Sequence, residues 1–453
     1  MAPAKNLFGQ LPVTCAIESP ERRGFIKSIA ASATVGLMPE IALGEPNMES
    51  TKTVMPLDLP AAWEKYYSSI DEARAMLKNT ARFKEHPEYR ARAYSTLLEA
   101  QAMAYNYAIA PRLNQPYIYS QSIYHSNVFA LGQNGPDFRY GGLFLDGRET
   151  YRLTGRLGQL KACLIQVHSH LMGHPESKEI GNYDFHKFAL KDNGTFDVTV
   201  SAQKHQGNWI RLDPSSNYNY LFLRRIFGDY FDDTGDLQIE MISRKGRYEK
   251  QDDEVTPERI SLAADFLKWL IKAFAIGIYD MYLKGAGGKN KVCFIAGQDL
   301  ADNYAGSPST TYGMILYDIS PDEALVIEYQ PPASAYWSFQ LGDIWCNSPD
   351  FFFYQTDVNM THAVIDADGK CRVVVSLADP GVPNWLDTTG TLEGLVTMRN
   401  YRATSASVAP TVSKVKLAAL RESLPRDTPI FTPEQRETAL AYRHRGYRHL
   451  FGD

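Results

Sequence analysis

The chain has 453 residues, of which 44% are hydrophobic and 22% are charged, and its formal net charge is −5. This balance is typical of a globular protein with a sizeable core, and it excludes the compositions of disordered and collagen-like chains. There is no excess of basic residues, so nucleic acid is not expected as a partner. Five cysteines without metal-ligand spacing argue against a zinc ribbon and against a disulfide scaffold.

Residues 1–44 are expected to be an export signal. Arg22 and Arg23 precede Gly-Phe-Ile-Lys, a run that resembles the twin-arginine signal, and a mildly apolar stretch of small residues follows. The segment Ala42-Leu43-Gly44 suits cleavage. The sequence therefore predicts the twin-arginine translocation machinery as a partner and a periplasmic or secreted location. No other segment is long and apolar enough to give the mature chain a transmembrane anchor.

Residues 45–115 are expected to form a helical region that contains an α-hairpin. The stretches AAWEKYYSSIDEARAMLKNT and PEYRARAYSTLLEAQAMAYNYAIA show no strand alternation, and apolar residues recur at helical spacing in the second.

One long central helix is expected at residues 255–290. Its sequence is apolar on nearly every side from Arg259 to Leu283, which indicates a helix buried on most sides.

Two β regions are expected, at residues 116–250 and 305–405. Each contains short apolar runs separated by turn residues, and the pairs Asp146-Gly147 and Asp368-Gly369 are typical of hairpin turns. A helical tail, residues 406–453, ends in the basic run AYRHRGYRHLF, which we expect to cap the body. The predicted fold is mainly β with helical additions, an α+β protein with an antiparallel β-sandwich or jelly-roll body.

Several motifs fall in order along the second β region: AYWSFQLGDIW from residue 335, HAVIDADGKCRVVVSLADPGVPNWLDTTG from residue 362, and MRNYRA from residue 398. Together with the earlier NGPDFRYGGLFLDGRETYRLTG, from residue 134, they resemble the domain-of-unknown-function family numbered 1214, which is related to the family numbered 1254. The resemblance implies a β-sandwich or jelly-roll body with helical additions. It implies no particular reaction.

The run QVHSHLMGH, residues 166–174, is the first candidate site. If the run continues a strand, His168 and His170 lie on one face, because alternate residues of a strand face opposite sides. Two imidazoles so placed can bind one divalent metal ion. A further ligand could come from His174, or alternatively from Glu176, Asp184, His186 or His205. His168 and His170 are also candidate catalytic residues. The alternative is an ordinary polar strand face.

The loop SLADPGVPNWLDTTG, residues 376–390, is the second candidate site. Its prolines and glycine predict irregular backbone at a strand end, where functional sites often lie. Asp379 and Asp387 are candidate catalytic residues, since paired carboxylates act as acid and base or hold a hydroxylated ligand. Asn384 and Trp385 are candidate substrate-binding residues. The alternative is that the aspartates cap turns and the indole fills the end of the sandwich.

Two strands supply the remaining candidate substrate-binding residues. Tyr336 and Gln340 share one face of the strand YWSFQLG, opposite the apolar face that carries Trp337, and are expected to look into a cavity. Arg399 and Tyr401 share a face of a later strand and could bind an anionic group. Taken singly, each of these residues favours a structural role over a binding role.

The motifs of the common serine hydrolases, dinucleotide-binding enzymes and HExxH metalloproteases are missing from the sequence. We therefore expect an exported enzyme that acts on a small organic or sugar-like substrate by hydrolysis, elimination or isomerisation, with or without a divalent metal. One alternative is a non-catalytic periplasmic protein that binds a glycan or a hydrophobic ligand. Another is a structural accessory protein that uses its basic tail as a contact.

Overall fold

The computed structural model describes residues 58–120, 130–243, 256–296 and 306–451. The predicted export signal lies outside these ranges. Within them, no helix combines the length and the apolar character that crossing a membrane requires. The fold is α+β, with β-sandwiches as the body and helices packed against them, which confirms the predicted fold class.

Helices from two separate parts of the chain form one layer, in which the first helix packs against the central one. Both begin at a capping side chain: Asp58 accepts a hydrogen bond from the backbone N of Ala61, and Thr256 accepts one from that of Arg259. The central helix is buried on most sides, as predicted. The elements are α1 (Leu59–Asn79), α2 (Ala81–Glu85), a 3-10 turn (Pro87–Tyr89), α3 (Arg90–Ala104) with a π-helical end (Tyr105–Ile109), and α4 (Pro257–Leu270) continuing through a π-helical segment (Ile271–Ile278) into α5 (Tyr279–Ala286).

The first β-sandwich contains nine strands in two sheets. The five-stranded sheet has the order β1-β2-β8-β4-β5 and the four-stranded sheet has the order β7-β6-β3-β9. Apolar residues between the sheets, such as Leu153, Ile165 and Leu223, are fully buried. The strands are β1 (Tyr119–Ser120), β2 (Phe138–Leu145), β3 (Tyr151–Arg156), β4 (Ala162–His168), β5 (Glu179–Asp184), β6 (Thr195–Ser201), β7 (Trp209–Arg211), β8 (Asn219–Ile226) and β9 (Asp236–Met241).

The second β-sandwich also contains nine strands in two sheets. The five-stranded sheet has the order β10-β11-β17-β13-β14 and the four-stranded sheet has the order β16-β15-β12-β18. Its core includes Trp337, Phe339 and Leu341, which confirms the predicted apolar face of that strand. The strands are β10 (Val292–Ala296), β11 (Thr310–Asp318), β12 (Glu323–Tyr329), β13 (Tyr336–Gly342), β14 (Asp357–Asn359), β15 (Cys371–Ser376), β16 (Trp385–Asp387), β17 (Glu393–Tyr401) and β18 (Thr411–Lys416).

The two sandwiches are copies of one topology. Adding nine to each strand number of the first sandwich reproduces the strand order of the second in both sheets. Each copy is antiparallel except for one parallel pair, which is β6 with β7 in the first and β15 with β16 in the second. The chain therefore contains an internal duplication, and corresponding positions in the two copies can be compared directly.

The C-terminal region is not entirely helical, contrary to the prediction for residues 406–453. Thr411–Lys416 forms strand β18, which pairs with the buried strand β12 and so satisfies backbone groups that would otherwise lack partners. The helices α6 (Leu420–Ser423) and α7 (Pro433–Phe451) follow. Tyr447 of α7 is fully buried in the core of the first sandwich, so the basic tail caps the body.

A buried network of charged and phenolic groups joins α7 to both sandwiches. The guanidinium of Arg443 forms an ion pair with Asp357 and donates a hydrogen bond to the hydroxyl of Tyr230 at 2.9 Å. The carboxylate of Asp137 accepts a hydrogen bond from the hydroxyl of Tyr336. Burial, together with repulsion from Asp357, raises the pKa of Asp137 to about 8. Arg443 therefore lies near two buried carboxyl groups. It pairs with the carboxylate of Asp357, and Asp137 is stable in its protonated form.

Replacing Asp137 by asparagine should flatten the pH dependence of stability. Between about pH 4 and pH 8 the unfolded chain has released this proton and the folded chain retains it, so the wild-type free energy of unfolding falls as pH rises. Asparagine cannot titrate. At pH 8 we expect Asp137→Asn to be more stable than wild type by at least about 1.4 kcal/mol, the equivalent of one pKa unit.

Urea unfolding at several pH values between 5 and 8 measures this difference. The exposed Asp192→Asn variant is the matched control and should keep the wild-type slope. Equal slopes for wild type and Asp137→Asn would show that the buried carboxyl group does not titrate in this range.

Candidate functional site

A cavity lies between the two sandwiches, beneath the helical layer. Its walls come from the five-stranded sheet of each sandwich and from α3, α4 and α5 with their π-helical segments. The space open to the centre of a water-sized molecule is about 130 Å³. One ordered water needs roughly 10–15 Å³ on that measure, so the cavity has room for a small organic molecule.

Aromatic and sulfur-containing side chains dominate the cavity wall. The helices contribute Phe266, Trp269 and Phe274, and the loop after β4 contributes Met172. Among the described wall residues there is no aspartate, glutamate, lysine or histidine. The wall is therefore apolar over most of its area, and its positive charge comes from arginine.

Arg399, on the central strand β17 of the second sandwich, carries charge into the cavity. Its side chain is 8% exposed. The guanidinium donates hydrogen bonds to Oε1 of Gln340 and, at 3.2 Å, to the backbone oxygen of Gln133. Within the described part of the chain it makes no ion pair with a carboxylate. An arginine cannot lose its proton in a protein, so a charged group faces this apolar space.

Arg224, on strand β8, occupies the matching position in the first sandwich. Its guanidinium donates to Oε1 of Gln166 at 3.1 Å and lies 4.1 Å from the ring centre of Phe222. Arg224 is paired with Tyr140 on the neighbouring strand, and Arg399 is paired with Tyr312 in the same register. The full correspondence is Tyr140, Arg224 and Gln166 in the first copy, and Tyr312, Arg399 and Gln340 in the second.

Both arginines lower the pKa of the same two tyrosine side chains, Tyr140 and Tyr401. Burial raises the pKa of Tyr140, while the guanidinium of Arg399 and then that of Arg224 oppose the increase. Burial likewise raises the pKa of Tyr401, and both guanidiniums oppose it. The two charges therefore lie near one region of the cavity, bordered by neutral phenol groups that can donate hydrogen bonds.

A second group of polar side chains in the wall consists of hydrogen-bonded hydroxyl and amide groups. The hydroxyl groups of Tyr282 and Thr397 are 2.5 Å apart, and Thr397 donates a hydrogen bond to Oε1 of Gln133 at 2.7 Å. Cys346 also borders the cavity, and burial raises the pKa of its thiol. A protonated thiol is a weak nucleophile, so this cysteine is suited to packing rather than to covalent chemistry.

The candidate histidines are divided between two environments. Strand β4 ends at His168, so His170 is not the next residue on the same strand face, and the alternation argument fails beyond that point. His168 is buried and stacks on Tyr220, and burial, with a smaller contribution from Arg224, lowers its pKa to about 4. His170 and His174 lie in the following loop with parallel rings 4.4 Å apart.

The candidate carboxylates lie away from the cavity, at the edge of the second sandwich. Asp379 forms an ion pair with Arg436 of α7 at 3.0 Å. Asp387 caps a turn by accepting a hydrogen bond from the backbone N of Thr389 at 2.8 Å. Burial, followed by repulsion from Asp379, raises the pKa of Asp387. The pair remains a candidate catalytic site on its chemistry, but both carboxylates are engaged in contacts that stabilise the fold.

Asn384 and Trp385 make contacts that the first sandwich repeats. The side-chain N of Asn384 donates to the backbone oxygen of Val364, and Nε1 of Trp385 donates to that of Ser376 at 3.1 Å. In the first copy, Asn208 and Trp209 make the same two kinds of bond, to the backbone oxygens of residues 189 and 201. Duplicated contacts of this kind indicate scaffolding, and Arg436 further covers the Trp385 ring.

The other predicted binding residues lie at or near the cavity. Arg399 and Tyr401 line its wall, and Gln340 holds the guanidinium of Arg399 from behind. Tyr336 is fully buried and belongs to the network with Asp137. Sequence reasoning missed Arg224 and Tyr140. The repeated Tyr-Gly pair, at 140–141 and again at 312–313, is the signal that could have found them.

The fold and the cavity define a tandem β-sandwich protein with an internal space of ligand size between its two copies. The model of the family described as "Protein of unknown function (DUF1214)" matches residues 319–405, which confirms the resemblance noted in the sequence. This segment contains β12–β17, most of the second sandwich.

One solved structure extends the similarity beyond that segment. An uncharacterised protein from Burkholderia cenocepacia is similar to this chain with a TM-score of 0.70 and 26% sequence identity, over 79% of this chain and 98% of that one. The VPA0106 protein from Vibrio parahaemolyticus is similar over 78% of this chain and 98% of its own, with 15% identity and a TM-score of 0.38. No curated protein sequence matches the chain.

Proposed function

We propose that this protein binds a small organic anion, with an apolar body and a carboxylate or similar group, in the cavity between its two sandwiches. The observation that carries the proposal is Arg399, a buried charge that faces an apolar cavity without a carboxylate partner in the described residues. Burying a charge is costly unless it is paired. A ligand carboxylate would supply that pairing through strong, charge-assisted hydrogen bonds.

The wall chemistry favours binding over catalysis. General acid–base catalysis needs a group whose pKa lies near the working pH. The described wall offers phenols and a thiol whose pKa values are raised by burial, together with arginines, so it holds protons rather than transferring them. With the predicted export signal, we infer a periplasmic ligand-binding protein. The sequence offered a non-catalytic periplasmic protein as an alternative to an enzyme, with a glycan or a hydrophobic molecule as its ligand, and the anionic group is added by the cavity.

Matched aromatic probes test this proposal. 2-Naphthoate and 2-naphthamide share size and shape but differ in charge. In calorimetric titrations of the full chain we expect one naphthoate per molecule and at least 10-fold weaker binding of the amide, because the guanidinium pairs with the carboxylate. Benzoate and its amide extend the comparison to a smaller body.

Two results would contradict the proposal. One is equal affinity for acid and amide, which would make the cavity a general apolar pocket. The other is failure of every carboxylate in the series to bind, accompanied by tight binding of a neutral sugar. A sugar that binds would return attention to the loop with Asp379 and Asp387.

A further inference from the structure

The loop between β4 and β5 gathers three side chains that can ligate a metal ion. One ligand atom from each of His170, His174 and Glu176 lies within 4.8 Å of the other two. The two imidazole planes are 9° from parallel, with ring centres 4.4 Å apart. Both histidines are partly buried and the glutamate is exposed, so an ion could enter from solvent.

The loop holds His170 in an orientation that leaves one ring nitrogen available. Nδ1 of His170 lies 3.2 Å from Oγ of Ser169. That hydroxyl already donates to the backbone oxygen of Glu176 and accepts from the backbone N of Lys178, so it is fixed from both sides. Metal-binding histidines commonly donate their second ring N–H to such a fixed acceptor, which directs the other nitrogen toward the ion.

His174 requires a small rearrangement to act as a ligand. Its Nδ1 accepts a hydrogen bond from the backbone N of Glu176 at 3.2 Å, which is near the long end of the range for hydrogen bonds. A metal ion could replace that long contact. Ligand atoms around a tetrahedral zinc ion are about 3.3 Å apart, so side-chain rotations must bring the three groups closer together.

We propose that His170, His174 and Glu176 bind one divalent transition-metal ion, with Zn²⁺ as the probe whose ligand preferences match two imidazoles and one carboxylate. Open coordination positions would be taken by water, as in sites that have three protein ligands. Softer thiolate ligands are absent from the cluster, and imidazole suits zinc, copper and nickel alike. The site differs from the predicted one in that Glu176 replaces His168.

The position of the loop links this site to the cavity wall. Met172, between the two histidines, lines the cavity. The next residue, Gly173, has a φ of +87°, and a Cβ there would lie 2.7 Å from Cβ of Trp269, another wall residue. The loop is thus packed tightly on α4. A bound ion would fix the loop on both sides of Met172, at His170 and at His174, and so stabilise this part of the cavity wall.

Calorimetric titration of Zn²⁺ into chelator-treated full chain tests the proposal. We expect one ion per chain. His170→Ala and His174→Ala should each weaken binding at least 100-fold, and Glu176→Gln about 10-fold, since metal affinity depends strongly on each ligand. His205→Ala is the matched control, because His205 is an exposed loop histidine outside the cluster, and its affinity should equal that of wild type.

Thermal unfolding without metal checks that the variants fold, and the milder Glu176→Gln keeps the test valid if an alanine variant does not. Unchanged zinc affinity in His170→Ala/His174→Ala, or no stoichiometric binding by wild type, would overturn the metal site. Neither outcome affects the anion proposal, because the naphthoate titrations are carried out without metal.

Discussion

Replacing Arg399 by methionine should weaken 2-naphthoate binding at least 100-fold and change 2-naphthamide binding by less than 3-fold. The loss corresponds to about 3 kcal/mol, which is typical of two charge-assisted hydrogen bonds. Arg399→Lys keeps the charge but not the fork of donors, so we expect an intermediate loss of about 10-fold. Calorimetric titration of both probes into each variant measures these effects.

The control for this series is Arg402→Gln. Arg402 lies three residues along the chain, is partly exposed, and pairs with Asp184 at 3.3 Å, so its loss should leave both affinities unchanged. The difference between acid and amide is the decisive readout. If Arg399 were only structural, methionine would weaken acid and amide binding equally, and that result would contradict its role as the anion anchor.

Replacing Arg443 by methionine should lower the free energy of unfolding by about 3–5 kcal/mol. The change leaves the carboxylate of Asp357 buried without its ion-pair partner, and removing one member of a buried pair has this typical cost. It also removes a donor to the Tyr230 hydroxyl and to the backbone oxygen of Phe351. Urea unfolding at pH 7 measures the effect.

Arg445→Met is the matched control, because Arg445 lies on the exposed side of the same helix and should change stability by less than about 0.5 kcal/mol. The double variant Arg443→Met/Asp357→Asn should recover part of the loss, since it removes the unpaired charge. A loss below about 1 kcal/mol for Arg443→Met would show that solvent or a rearranged neighbour compensates Asp357.

The sequence was informative where one local rule decides the outcome. The alternation in β13 and β17 placed Trp337 in the core and Arg399 with Tyr401 on a shared face, and the structure has both arrangements. The all-round apolar character of the central helix predicted its burial correctly. In each case the period of the side chains fixes which face packs inward.

The sequence was less informative where tertiary contacts decide. The rule of alternation could not show that β4 stops at His168, because the next residues, Ser169 and His170, are as polar as a continued strand face would be. Helix α3 also packs differently from its most apolar pattern: Ala100 is buried, whereas Leu98 is 67% exposed. Small side chains allow close helix packing, and hydrophobicity alone does not identify them.

The cavity and the duplication were beyond prediction from local patterns. The wall groups come from several strands and helices that are far apart in sequence, and the packing of the two sandwiches brings Arg224 and Arg399 to one space. The two copies share few residues beyond short repeats, such as Asn-Trp at 208–209 and 384–385. Their equivalence becomes clear when strand order and register are compared.

The placement of the cavity between the two copies has a consequence for how the molecule comes apart. A double sandwich with separate cores can denature in two steps, one for each core. A molecule held between the copies would be lost when either one opens. At a concentration 100 times its dissociation constant, such a ligand adds about 2.7 kcal/mol to the folded state. Its presence would therefore make the unfolding of the two copies more cooperative.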